Sequence, residues 1–166
     1  MQIPKRKSEK NNQFKPDYLI TKAKFEELQK NLEHLLKQRP GAAEDVARLS
    51  QLGDFSENAE YQLAKGRLRG INSAIFSLEQ ELNKAVIIDS QKQTNTVQLG
   101  HRVTVTNNQN QQKIYQILGS KETNPQQGII SHNSPLGTAL LGKKIGETIS
   151  FKAGDKEVFY KIIRIE

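Results

Sequence analysis

The eleven residues QLGDFSENAEY, from Gln51 to Tyr61, stand between two long apolar series. On the N-terminal side, Phe25, Leu28, Leu32, Leu35, Ala42, Val46 and Leu49 recur at alternating spacings of three and four, with Arg39 in the one polar slot. On the C-terminal side, Ala64, Leu68, Ile71, Ile75, Leu78, Leu82 and Ala85 keep the same rhythm, and Tyr61 extends it backwards. Such spacing is the a/d seam of packed helices. Only Gly53, Asp54, Phe55 and Ser56 separate the two helical patterns, and so short a link forces the helices to run antiparallel. At about 1.5 Å per residue each arm of the hairpin is roughly 40 Å long, which sets its tip far from the rest of the chain.

Local chemistry agrees with this reading. Thr21 is a fitting N-cap, with Ile20 and Phe25 at the staple positions around it. Pro40 lacks an amide hydrogen and its ring crowds the preceding turn, so Pro40-Gly41 predicts a kink or local break. Gly66 and Gly70 lie off the second seam and each weakens the helix by about 1 kcal/mol relative to Ala. Gly53 suits the end of the first helix, where a left-handed residue is wanted. Asp54 and Glu57 have capping-box spacing for the second helix. The same two carboxylates, with Glu60 a turn further on, stand at the far end of a long probe. Hard cations such as Mg²⁺ take oxygen ligands of this kind. Two acids are too few to hold Mg²⁺ alone, so a metal reading requires a partner that completes the site. Phe55 is an aromatic ring at a hairpin tip, where it calls for something to pack on.

Beyond the seams the pattern changes to short β-branched runs: Arg102–Thr106, Lys113–Leu118, Ile129–Ser131, Glu147–Phe151 and Val158–Ile165. Ser134-Pro135 opens a brief helix, with Ser as N-cap and Pro as first helical residue, and Gly142 closes it. The whole is α+β: an N-terminal helical hairpin over 17–88 and a small β domain over 89–166, preceded by a basic arm over 1–16.

Composition limits the chemistry. The 166 residues carry a net charge of +7, with 35% hydrophobic side chains, which favours elongated parts over one large globule. The arm contributes net +4, the hairpin −1 and the β domain +4. The arm has little to bury and reads as disordered, either a solvated tail or a nonspecific tether to nucleic acid. Cysteine is absent, which excludes disulfides, thiolate metal sites and cysteine nucleophiles. His34, His101 and His132 are too scattered for a histidine metal cluster. No apolar run approaches the roughly 20 residues of a membrane span, and the N-terminus lacks a signal-peptide core. The expectation is a cytoplasmic, monomeric protein with no membrane association.

Two motifs carry a resemblance. GDFSENAEY resembles the tip signature of the GreA/GreB bacterial transcript-cleavage factors, and SPLGTALLGKKIGE followed by a terminal strand resembles their C-terminal domain. The similarity runs from Tyr18 to Glu166. It implies a coiled-coil hairpin followed by a domain of FK506-binding-protein-like fold, which docks on bacterial RNA polymerase while the hairpin enters the secondary channel. It implies that Asp54 and Glu57 help hold a second Mg²⁺ and a water beside the polymerase's own metal, so that backtracked RNA is cleaved near its 3′ end by two-metal hydrolysis. The factor itself is then no enzyme, and it binds no cofactor alone. Gly53, Phe55, Ser56 and Asn58 match the motif as tip-shaping residues, although Phe55 stands where the family usually has Leu. Lys65 matches a basic position that attracts extruded RNA. Ser50 stands where another member has Arg, and Arg48, Arg67 and Arg69 are near enough in sequence to compensate. Solvated flanks are the plainer reading of these cations. Three alternatives stay open: a non-cleaving regulator of the same channel, a peptidyl-prolyl isomerase, and a coiled-coil adaptor.

Overall fold

The computed structural model describes residues 17–51, 59–88 and 95–166. The basic arm and the tip residues 52–58, among them Gly53, Asp54, Phe55, Ser56, Glu57 and Asn58, lie outside the described residues.

A two-residue strand β1 (Leu19–Ile20) leads into the long helix α1 (Lys22–Ser50), and helix α2 (Ala59–Lys84) returns to strand β2 (Val86–Ile87). β1 and β2 pair in parallel, Leu19 with Val86 and Ile20 with Ile87, and close the root of the hairpin. All the named seam positions on both arms are buried or half-buried, while Arg39 is exposed. Ala42, Ile71 and Ile75 form the centre of the seam, with Leu32, Leu35 and Leu68 packed around them. Nearer the tip, Leu49 and Ala64 face one another across a shared cleft. A partner residue that rises in number on one arm as it falls on the other is the signature of antiparallel packing. Apolar residues off the seam are exposed: Leu36, Leu63 and Phe76.

Helix α1 runs without interruption through Pro40 and Gly41, so of the expected kink or break the break does not occur. The missing amide of Pro40 costs one hydrogen bond, but Ala42 and Leu49 beyond it remain buried on the seam and keep the helix in phase. Its start is as the sequence suggests: the Thr21 side chain accepts a hydrogen bond from the Lys24 amide. Its end comes at Ser50, with Gln51 capping it in the right-handed conformation, its amide shared between the Arg48 and Leu49 carbonyls. The helix therefore closes before Gly53. Helix α2 likewise runs unbroken through Gly66 and Gly70.

The β domain is a five-stranded sheet in the order β5-β4-β3-β7-β6, built from β3 (Arg102–Thr106), β4 (Gln112–Leu118), β5 (Ile129–Ser131), β6 (Thr148–Ala153) and β7 (Lys156–Ile165). Within this sheet, among the described residues, only the β4–β5 pair is parallel. The β3–β7 register shifts after Thr104, leaving Ile163 as an extra residue. Helix α3 (Pro135–Leu140) is capped by Ser134, whose side chain accepts from the Gly137 amide. Gly137 has no alternative here, because a β-carbon would lie 2.1 Å from the Ser131 carbonyl oxygen. The core joins Leu136 and Leu140 of α3 to Val103, Val105, Ile117, Ile149, Tyr160 and Ile162 of the sheet, with Val97 alongside. His101 is also buried, and its Nδ1 accepts from the Gln98 amide, so it serves the fold. The final hairpin starts and ends within a residue or two of its expected bounds, around Gly154 in the left-handed conformation.

Candidate functional site: the distal hairpin and its root

At the distal end, Arg48 and Arg67 come together. They line one cleft between the arms with Ala42, Asp45, Leu49, Leu63 and Ala64. Arg48 sits in the last turn of α1, where a cation complements the partial negative charge of the exposed carbonyls. It reaches Asp45 at 3.5 Å, an exposed pair that contributes little to stability and leaves the guanidinium open to a phosphate. Lys65 is placed apart from this cleft. Its ammonium lies 5.8 Å above the Tyr61 ring, on a neighbouring stripe of the helix. The basic residues singled out from the sequence thus divide into an Arg48–Arg67 pair and a separate Lys65, with Arg69 exposed on α2 and outside the cleft. At the start of the described part of α2, Glu60 adds a favourable charge to the helix N-terminus. Leu63 was not anticipated: it lines the same cleft yet is 74% exposed, an apolar side chain beside the tip with no cover of its own.

At the opposite end, the hairpin root meets the β domain through polar contacts that no local pattern announced. The Asp17 carboxylate accepts from the Leu19 amide at 2.9 Å, the Ser120 amide at 2.9 Å and the Ser120 hydroxyl at 3.2 Å. His132 Nδ1 lies 3.3 Å from the same carboxylate. Burial opposes ionisation of Asp17, but these two amides, the nearby imidazole and the Ser120 hydroxyl outweigh it and hold the carboxyl below its ordinary range. Glu122 grips Thr21 with both oxygens, one accepting from the Thr21 amide at 2.7 Å and the other from its hydroxyl at 2.6 Å. Lys121 adds an ion pair to Glu81 of α2 at 2.8 Å. Ser120–Glu122 is a single 3-10 turn, so one turn of the β domain makes all three connections.

The sheet offers little for prolyl isomerisation. Tyr115, Tyr160 and Phe151 stack against one another in or beside the core, with ring centroids 6.2 and 5.6 Å apart. Burial and the Tyr160 hydroxyl push the Tyr115 phenol above its usual range. The cleft on the outer face of the sheet is lined by Arg102, Ile114, Gln116, Gln127 and Ile129, none of them aromatic. Among the described residues no helix is long and apolar enough to cross a membrane.

Comparison with known proteins covers nearly the whole chain. Residues 18–87 match the family profile described as "Transcription elongation factor, N-terminal", and residues 92–166 match "Transcription elongation factor, GreA/GreB, C-term". The chain is 35% identical over 148 residues to transcription elongation factor GreA of Nitratiruptor sp., covering 88% of this chain and 91% of that one. It is 38% identical over 152 residues to the GreA of Pelobacter propionicus, covering 89% and 95%. Among solved structures, GreA factor homolog 1 of Thermus thermophilus is 25% identical, covers 90% of this chain and 99% of its own, and superposes with a TM-score of 0.42.

Proposed function

Because the chain belongs to the GreA/GreB family of transcription elongation factors, we propose that it binds bacterial RNA polymerase and stimulates cleavage of backtracked RNA by presenting Asp54 and Glu57 at the polymerase active site. The observation that most supports this is the hairpin itself. Helix α1 has 29 residues, so its distal end stands about 44 Å from its start, and residues 52–58 join the two far ends. Two acids in the segment that joins the far ends of such a probe are too few to hold Mg²⁺ alone and call for a partner that completes the site.

The donor set fits the chemistry. Carboxylate oxygens are the ligands Mg²⁺ prefers, and the ion is commonly held by only one or two protein carboxylates with other groups completing its shell. Asp54 and Glu57 would hold it jointly with carboxylates of the polymerase, and the ion would lower the pKa of an attacking water and neutralise charge at the phosphate. In the cleavage, water oxygen adds to phosphorus and the P–O3′ bond breaks. The retained RNA keeps a 3′-OH, and the released fragment carries the phosphate. The role of this chain is to place the two acids, and on this reading it cleaves nothing by itself. Gly53, Phe55, Ser56 and Asn58 shape the segment that carries them. Arg48 and Arg67, and Lys65 on its separate stripe of α2, draw the extruded RNA by its phosphates, a contribution that weakens with salt. The β domain, with its own core, docks on the polymerase surface.

The test is a stalled bacterial elongation complex carrying end-labelled RNA. Mg²⁺-dependent shortening of the RNA on addition of the chain, followed by resumed extension from the new end, is the expected result. Binding without shortening would assign the chain to non-cleaving regulators of the same channel instead.

A further inference from the structure

We infer that Asp17 and Glu122 form a reciprocal capping joint that fixes the direction of the hairpin relative to the β domain, which makes both of them positioning residues for the distant tip. The inference takes its functional consequence from the reading above, but its structural content stands apart from it.

The argument begins at the start of α1. Thr21 caps the helix through the Lys24 amide, as half of a capping box. The other half needs an acid or amide side chain three residues later, reaching back to the Thr21 amide. That position is Lys24, and the first turn of α1 contains no acid. With Lys22 and Lys24 there instead, the turn places cations where the helix dipole favours anions. Glu122 supplies what is missing from 101 residues away, accepting from both the amide and the hydroxyl of Thr21. Asp17 does the converse. It belongs to the hairpin side and accepts from the amide and hydroxyl of Ser120, the first residue of the turn that carries Glu122. Each unit therefore satisfies an orphan amide of the other. The backbones are in close approach at the same place: a β-carbon on Gly119 would lie 1.8 Å from the Leu19 carbonyl oxygen.

A joint at the root governs the tip by leverage. Over about 44 Å, a 5° change of direction displaces the far end by about 4 Å. Catalytic groups tolerate far less, since a misplacement of about 1 Å can cost about a hundredfold in rate. A loosened joint should therefore leave polymerase binding in place and lose cleavage.

The chain has no cysteine, so a label pair at Lys37→Cys on α1 and Lys156→Cys on the β domain is unique. Pulsed electron–electron resonance on the full chain reads the distance distribution between them. A narrow distribution is expected with Asp17 and Glu122 present. In the D17A/E122A variant it should broaden about twofold or more while helical circular dichroism is retained. Adding K24E to that variant returns an acid to the third helical position and restores the cap within α1 alone. If the two acids merely cap local structure, K24E brings the narrow distribution back. If they are the joint, helix stability recovers and the distribution stays broad. An unchanged width in D17A/E122A, or a narrow one on adding K24E, overturns the inference. In the cleavage assay D17A/E122A should lose tenfold or more in rate with polymerase affinity within about twofold. If D17A/E122A broadens the distances but the unsubstituted chain stimulates no cleavage, the joint is upheld and the proposed role of the tip is refuted.

Discussion

Replacing Ile75 with Asp tests whether the hairpin is held by its seam, and the adjacent residue provides the control. Ile75 is 7% exposed and packs with Ala42 and Ile71. Truncating a buried Ile typically costs about 2–5 kcal/mol. A carboxylate in its place must also be desolvated or protonated, which adds to the cost. We take about 4 kcal/mol as the working figure, about a thousandfold in the folding equilibrium and a large part of the 5–15 kcal/mol that typically holds a domain together. For a chain of 166 residues, a loss of that size lowers the melting temperature by about 10 °C. Phe76, one step round the helix, is 63% exposed. Phe76→Asp should change stability by no more than about 0.5 kcal/mol, or a degree or two. Thermal unfolding followed by helical circular dichroism compares the two directly. Equal melting curves for Ile75→Asp and Phe76→Asp would mean that the arms do not pack along this seam, and the geometry of the probe would fall with it.

Further outcomes follow from the root and the flanks. Gly119→Ala should strain the joint, because the new methyl would overlap the Leu19 carbonyl, and it should broaden the same label distances as the loss of Asp17 and Glu122. The folded-state pKa of Asp17 is lowered, so its contribution to stability is complete above the ordinary carboxylate value and is lost as pH falls through the lower folded value. The gap in melting temperature between the unsubstituted chain and Asp17→Asn should therefore be full at neutral pH and should close as pH falls through the lowered folded value, below the ordinary carboxylate range. Alanine at both Arg48 and Arg67 should weaken RNA-dependent stimulation at low salt, and the deficit should shrink as salt rises; a deficit independent of salt would contradict phosphate attraction.

Much of this structure was legible in the sequence because its determinants are local. The a/d spacing located both arms, and none of the named seam positions is exposed. Ser134-Pro135 marked the start of α3, and alternation of β-branched residues found the five strands of the β domain to within a residue or two, though not the short strand β1. Pro40 does not break α1 for a physical reason: one lost hydrogen bond is outweighed by the burial that continues on both sides of it. The root joint was not legible, because the pairs Thr21–Glu122 and Asp17–Ser120 span 101 and 103 residues and obey no period. One signal did point to it. A well-placed N-cap followed by a first turn of lysines is an incomplete cap, and such a helix start requires an acid from elsewhere. The division of the basic residues near the tip also depended on helical phase across two arms, which spacing along one arm does not give. The tip acids were found by motif and lie outside the described residues, so their role rests on chemistry and kinship.

That role is most directly tested by a variant that changes charge and little else. Asp54→Asn with Glu57→Gln keeps side-chain size and much of the capping ability, since Asn is a good N-cap and Gln serves in a capping box. Measured on a backtracked polymerase complex at limiting Mg²⁺, the double variant should bind like the unsubstituted chain, keep its helix content and lose cleavage stimulation by orders of magnitude. Raising Mg²⁺ should restore part of the activity by mass action. Cleavage at the unsubstituted rate under limiting Mg²⁺ would contradict the account, and would reduce Asp54 and Glu57 to caps of a helix.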